Sequence, residues 1–161
     1  MKFGKWHDIE VEDDVTAYVE YENGATGVFI ASTGDTPGTN RFEITLDKGK
    51  LVAENGVLTI WENEVSEQEF SRTNTENFGK PKCTTEIVKS DGKLGHAEVL
   101  NAFAGAILRD EPLIAEGVEG INGLTISNAM HLSAWLKKEV TIPLDEDLYY
   151  SLLLKASGEI E

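Results

Sequence analysis

Between Val15 and Trp61 the sequence runs in short alternations of apolar and polar residues, each stopped by a glycine-bearing turn. In "DVTAYVEYENG", Val15, Ala17, Val19 and Tyr21 share one face of a pleated strand, while Thr16, Tyr18, Glu20 and Glu22 share the other. Asn23-Gly24 readily takes the positive φ angles of a tight hairpin. The return strand, "ATGVFIAST", is apolar on both sides: Phe29 and Ala31 point one way, Val28 and Ile30 the other. "RFEITLDKGKLVAENGVLTIWEN" repeats the device twice, turning at "DKGK" and again at Asn55-Gly56. A further strand is expected near Val65 to Phe70, a loop over "NTENFGKPK", and a strand over "CTTEIVKS" before an Asp91-Gly92 turn.

The last third changes period. From about Leu94 to Arg109, Leu100, Phe103, Ala104, Ile107 and Leu108 recur at helical spacing, and "DEP" closes the run. A second helix is expected from near Glu119 to about Lys138, burying Ile121, Leu124, Leu132, Trp135 and Leu136. Its two lysines face the negative end of the helix dipole. "EVTIPLD" reads as a short strand or extended segment. "DEDLYYSLLLKAS" reads as a last helix with Asp145 as its N-cap. Strands followed by helices imply an α+β fold: a predominantly antiparallel, open sheet with helices packed on one face. With no repeat and no clear linker, residues 1–161 are expected to form a single domain.

Charge narrows the function. Fourteen basic and 29 acidic side chains leave a net charge of −15, which repels phosphate backbones and anionic membrane surfaces. The start, "MKFGKWHDIEVEDD", lacks the apolar core of a signal peptide, and no apolar run reaches membrane-spanning length. A single cysteine, Cys83, favours a reducing compartment, so the expected location is cytoplasmic.

Local chemistry is sparse. "TGDTPGTNR" has neither phosphate-loop spacing and leads into a strand rather than a helix. Its polar side chains, Thr33, Asn40 and Arg41 among them, can either bond a polyhydroxylated ligand or simply fix the loop. His7, His96 and His131 carry no metal-ligand spacing. His96 opens a helix, either as a ligand contact or as a cap. The acidic run Asp8, Glu10, Glu12, Asp13 and Asp14 lacks the glycine bend and terminal glutamate of a calcium loop. No catalytic residue and no metal site are assigned.

Three stretches carry a resemblance: "EDDVTAYVEYENGATG"; Leu46-Asp47-Lys48-Gly49-Lys50-Leu51, with leucine where glycine is more usual; and "NAFAGAILRDEPLIAEGVEGINGLTISNAMHLSAW". Their order and spacing resemble the C-terminal domain of the glucose–fructose oxidoreductase, inositol dehydrogenase and rhizopine-catabolism (Gfo/Idh/MocA) family. The resemblance implies a domain that walls a sugar site and packs against another subunit through its open sheet face. It also implies a separate N-terminal Rossmann domain that binds NAD or NADP. The present sequence has no dinucleotide fingerprint and no Glu-Lys-Pro motif, so the Rossmann domain is expected to be absent and the chain inactive alone. The expected ligand-facing residues are Thr33, Asn40, Arg41 and His96. The alternatives are a stand-alone protein-binding or scaffold module, and an acid–base enzyme built on His7.

Overall fold

The computed structural model describes residues 11–90 and 95–160. His7, Asp8, Glu10, Leu94 and the Asp91-Gly92 turn lie outside the described residues. The elements run β1 (Asp14–Glu20), β2 (Thr26–Ser32), β3 (Arg41–Leu46), β4 (Gly49–Glu54), β5 (Val57–Asn63), α1 (Glu67–Thr73), β6 (Cys83–Lys89), α2 (His96–Arg109), α3 (Gly120–Leu136) and α4 (Glu146–Ala156). A 3-10 turn, Gly117–Glu119, leads into α3. Strands precede most of the helices and both sheets are antiparallel and open, so the fold is α+β.

The strands divide between two sheets: a β1-β2 hairpin, and a four-stranded sheet in the order β3-β4-β5-β6. The chain likewise divides into two compact units. One comprises Met1–Asp13 with Ser32–Glu98; the other comprises Asp14–Ala31 with Val99–Glu161.

In the first unit, register follows from turn chemistry. Glu54 pairs with Val57 across a two-residue turn in which Asn55 and Gly56 both have positive φ (52° and 73°), as a strand-matching hairpin requires. The β3–β4 turn is different. Leu46 pairs with Gly49 across Asp47 and Lys48, and the conformational demand falls on Gly49, at φ 154°. A Cβ there would run into the Trp61 carbonyl oxygen of β5. Glycine is therefore needed for the approach of β4 to β5 as well as for the turn.

The same turn starts α1. The Glu67 N–H donates to the Asp47 carbonyl (2.8 Å) and the Gln68 N–H to Asp47 Oδ1 (3.1 Å). The Glu69 N–H donates to Ser66 Oγ (3.1 Å). These three donors have no partner within a helix's first turn, so the cap satisfies all of them. This corrects the strand expected near Val65 to Phe70. The sequence Ser66-Glu67-Gln68-Glu69 is a capping-box signature, and α1 ends where the Asn74 N–H donates to the Phe70 carbonyl.

Pairing fixes the two faces of this sheet. Phe42, Ile44, Leu51, Ala53, Leu58, Ile60 and Val88 share one side. Arg41, Glu43, Lys50, Val52, Glu54, Trp61, Ile87 and Lys89 share the other. Val52, on the charged side, is the buried centre at 6% exposure, whereas Phe42 on the apolar side is 64% exposed.

In the second unit, β1 and β2 meet in a three-residue loop. The Gly24 N–H donates to the Tyr21 carbonyl and the Tyr21 N–H to the Ala25 carbonyl, both at 2.8 Å. Gly24 alone takes positive φ, at 84°. The expectation that both residues of Asn23-Gly24 turn left-handed is thus corrected. Asn23 instead accepts the Ala25 N–H through its side chain, and the extra loop residue relieves it of the strained angle.

Asp145 caps α4, as expected, its Oδ1 accepting the Leu148 N–H at 2.9 Å. An aromatic column ties α3 to α4: Trp135 lies 5.6 Å from His131 and 5.6 Å from Tyr149, centroid to centroid, beside buried Leu132. α3 stops at Lys137, which takes left-handed φ (53°) and whose N–H donates to the Ser133 carbonyl. Its expected buried stripe holds only in the C-terminal half, since Ile121 and Leu124 are exposed. In α2 the apolar stripe through Leu100, Phe103, Ile107 and Leu108 is also exposed, and only Gly105 is buried. Residues 139–145 join no strand.

Two tests address the β3–β4 turn. Gly49→Ala is expected to lower the thermal midpoint well beyond Gly24→Ala. At Gly24 only the left-handed penalty of about 1–2 kcal/mol applies, because open space surrounds its Cβ position. Asp47→Ala and Ser66→Ala should each cost about 1 kcal/mol and speed amide exchange at Gln68 and Glu69 respectively. Unchanged exchange there would reject the cap.

Candidate functional site

β3 and β4 bring together the densest polar cluster among the described residues. Alternation in "RFE" and "KLVAE" puts the charges of both strands on one face, and the register sets Arg41 directly opposite Glu54. Arg41 Nη1 donates to Glu54 Oε2 at 3.1 Å, and its Nε donates to Glu43 Oε2 at 3.1 Å. Lys50 closes the chain of ion pairs onto the other oxygen of Glu43. The four side chains are a third to two fifths exposed, so each pair contributes little to stability on its own.

Electrostatics follow from this arrangement. Lys50 first, and Arg41 second, hold the Glu43 carboxyl below the usual glutamate range, while Glu43 keeps the Arg41 guanidinium protonated beyond its ordinary range. A carboxylate held ionised in this way is a poor proton carrier near neutral pH, where general bases work best. The cluster is suited to holding charge in place rather than to moving protons.

Two depressions flank the four-stranded sheet. One, about 360 Å³, is lined by Arg41, Gly49, Lys50, Val52, Trp61, Asn63 and Cys83. The other, about 530 Å³, is lined mainly by Asn40, Phe42, Ala53, Leu58 and Val88 with the Asn55-Gly56 turn. The expected ligand residues are thereby dispersed. Arg41 belongs to the first depression, already engaged by two carboxylates, and Asn40 to the second. Thr33 and His96 line neither. The Thr33 N–H donates to the Asp13 carbonyl at 2.9 Å, and His96 is the exposed first residue of α2.

Sequence reading missed Glu43, Lys50, Glu54 and Trp61 as a group. The available signal was the "DKGK" turn, because a two-residue connection after Leu46 dictates which charges of β3 and β4 meet. Among the described residues, no group of three or more His, Cys, Asp or Glu side chains could hold a metal ion. The start of α1 does not fit a pyrophosphate. The three leading N–H groups of α1 are taken by Asp47 and Ser66, and Glu67 and Glu69 put negative charge where a pyrophosphate would lie.

A titration checks the cluster. The Glu43 side-chain carboxyl should titrate by NMR below an unstructured glutamate, and Lys50→Met should move its midpoint upward. Because the folded value is depressed, the associated stability is complete above the unfolded pKa and is lost as pH falls through the folded one. An unmoved midpoint in Lys50→Met would reject the arrangement.

No helix among the described residues is long and apolar enough to cross a membrane. No curated relative matches the chain. Residues 2–52, which include β1, β2, β3 and the β3–β4 turn, match the family model of the GFO/IDH/MocA C-terminal domain, the family to which the motifs pointed.

Proposed function

We propose that this chain is the substrate-side and subunit-association domain of an NAD(P)-dependent oxidoreductase acting on a sugar, inositol or related polyol. The family match over residues 2–52 is the observation that carries the reading. In this reading the chain works as one domain, and the hydride acceptor and the proton-transfer groups belong to an N-terminal Rossmann domain. NAD or NADP supplies the redox chemistry there. No catalytic residue is assigned to the present chain.

What this chain contributes is a wall. Thr33, Asn40, Arg41 and His96 are the candidate polyol contacts, offering hydroxyl, amide, guanidinium and imidazole groups to a ligand rich in hydroxyls. The open sheet face takes a second subunit. Its apolar residues supply the area, each Å² of apolar surface removed from water contributing roughly 25 cal/mol. A lone cysteine suits a reducing cytoplasm.

Two measurements test the proposal. Titrating myo-inositol and glucose into the ¹⁵N-labelled chain should shift amides at Thr33, Asn40, Arg41 or His96, while NADH should shift none. Joined to a dinucleotide-binding domain of the same family, the chain should support polyol-dependent NAD(P)H formation. Turnover by the chain alone would overturn the assignment, as would polyol-induced shifts confined to other residues.

A further inference from the structure

We propose that the Phe78–Gly79 peptide bond is a limited-proteolysis site, open to an endopeptidase whose specificity pocket takes an aromatic side chain. The bond lies in the connection between α1 and β6, residues 74–82, which joins no helix or strand. Phe78 is fully exposed there and holds a left-handed φ of 61°. For a bulky side chain that conformation is strained. The next residue supplies the cause. A Cβ on Gly79 would stand 2.7 Å from Asn74 Nδ2 and 3.2 Å from Phe70 Cζ, so the backbone lies close against the end of α1 and turns Phe78 outward.

A protease takes its substrate as an extended strand, so a susceptible bond needs a reachable side chain and backbone that can leave its place. Phe78 meets both conditions. Among the described residues no hydrogen bond holds its N–H or carbonyl, and the change from left-handed to extended backbone relieves strain. The positions around it are tied more firmly. The Asn74 side chain accepts the Glu76 N–H (3.2 Å) and donates to the Glu76 carbonyl (2.8 Å), and the Lys82 carbonyl accepts the Glu64 N–H (2.9 Å).

The sequence then sets the class of enzyme. Lys80 precedes Pro81, and an imide bond resists enzymes that cut after lysine, so the connection favours an aromatic pocket over an acidic one. The other described phenylalanines, tyrosines and tryptophans lie within strands or helices, except Tyr21, whose N–H and carbonyl are both bonded across the β1–β2 loop. Leu113, in the connection after α2, is the weaker rival, being aliphatic and only 41% exposed. Hydrolysis adds water across the bond, leaving a carboxylate on Phe78 and an amine on Gly79. The two pieces stay together, because β5 and β6 lie on opposite sides of the cut and pair from Val57 with Lys89 to Asn63 with Cys83. The product is a nicked domain.

Chymotrypsin, at a low ratio to the whole chain, tests this with intact-mass spectrometry of the products. Within the described residues the first cut should fall after Phe78, and the nicked chain should keep its far-UV circular dichroism and elute as one species in gel filtration. Phe78→Ser should slow cutting between residues 74 and 82 at least about tenfold. Phe78→Arg should open the same bond to trypsin, a gain that a merely loosened fold, cut in many places, would not give. A first cut at Tyr21, after Leu113 or inside a strand or helix would overturn the proposal, as would undiminished cutting of Phe78→Ser in this connection. Fragments that part under native conditions would reject the paired nick.

Discussion

The β3–β4 turn is the joint on which the four-stranded unit depends. Within three residues it fixes three things. Asp47 accepts two N–H groups from the start of α1, the Lys48 carbonyl accepts the Asn63 N–H of β5, and Gly49 lets β4 come against the Trp61 carbonyl. Register, strand spacing and helix placement are thus decided at one point. A side chain at Gly49 would push β4 away from β5 beside Trp61. The charged cluster is a consequence of the turn, because pairing register determines which alternating residues share a face.

The two sides of this sheet solve different problems. On the Arg41 side, Val52 is buried on the same face as the paired charges of Arg41, Glu43 and Glu54. The Phe42 side has no comparable roof of charged side chains, and Phe42 and Leu46 stand exposed. The second unit shows the same imbalance in its helices. Its secured region is the α3–α4 contact, where Leu132 and the His131–Trp135–Tyr149 column lie, while the apolar stripe of α2 stands open.

Strong acidity then acts as a filter on which neighbours can come. A net charge of −15 disfavours nucleic acid and anionic membranes.

The strand periodicity, the Asn55-Gly56 hairpin, the Asp145 cap and the α+β class were all legible in the sequence, because each depends on residues within a few positions of one another. The family motifs were legible for the same reason, and the match over residues 2–52 covers the strand–turn segments that carry two of them. α1 was misread as a strand although its Ser66–Glu69 signature was present, since the acidic run around it hid the period. What only the tertiary structure decided is long-range. Asp47 serves a helix twenty residues away, Glu43 and Glu54 converge on one guanidinium, and Asn40 and Arg41, adjacent in sequence, line different depressions. Alternation tells which residues share a strand face; only pairing tells which of them meet, and that requires strands brought together from distant parts of the chain.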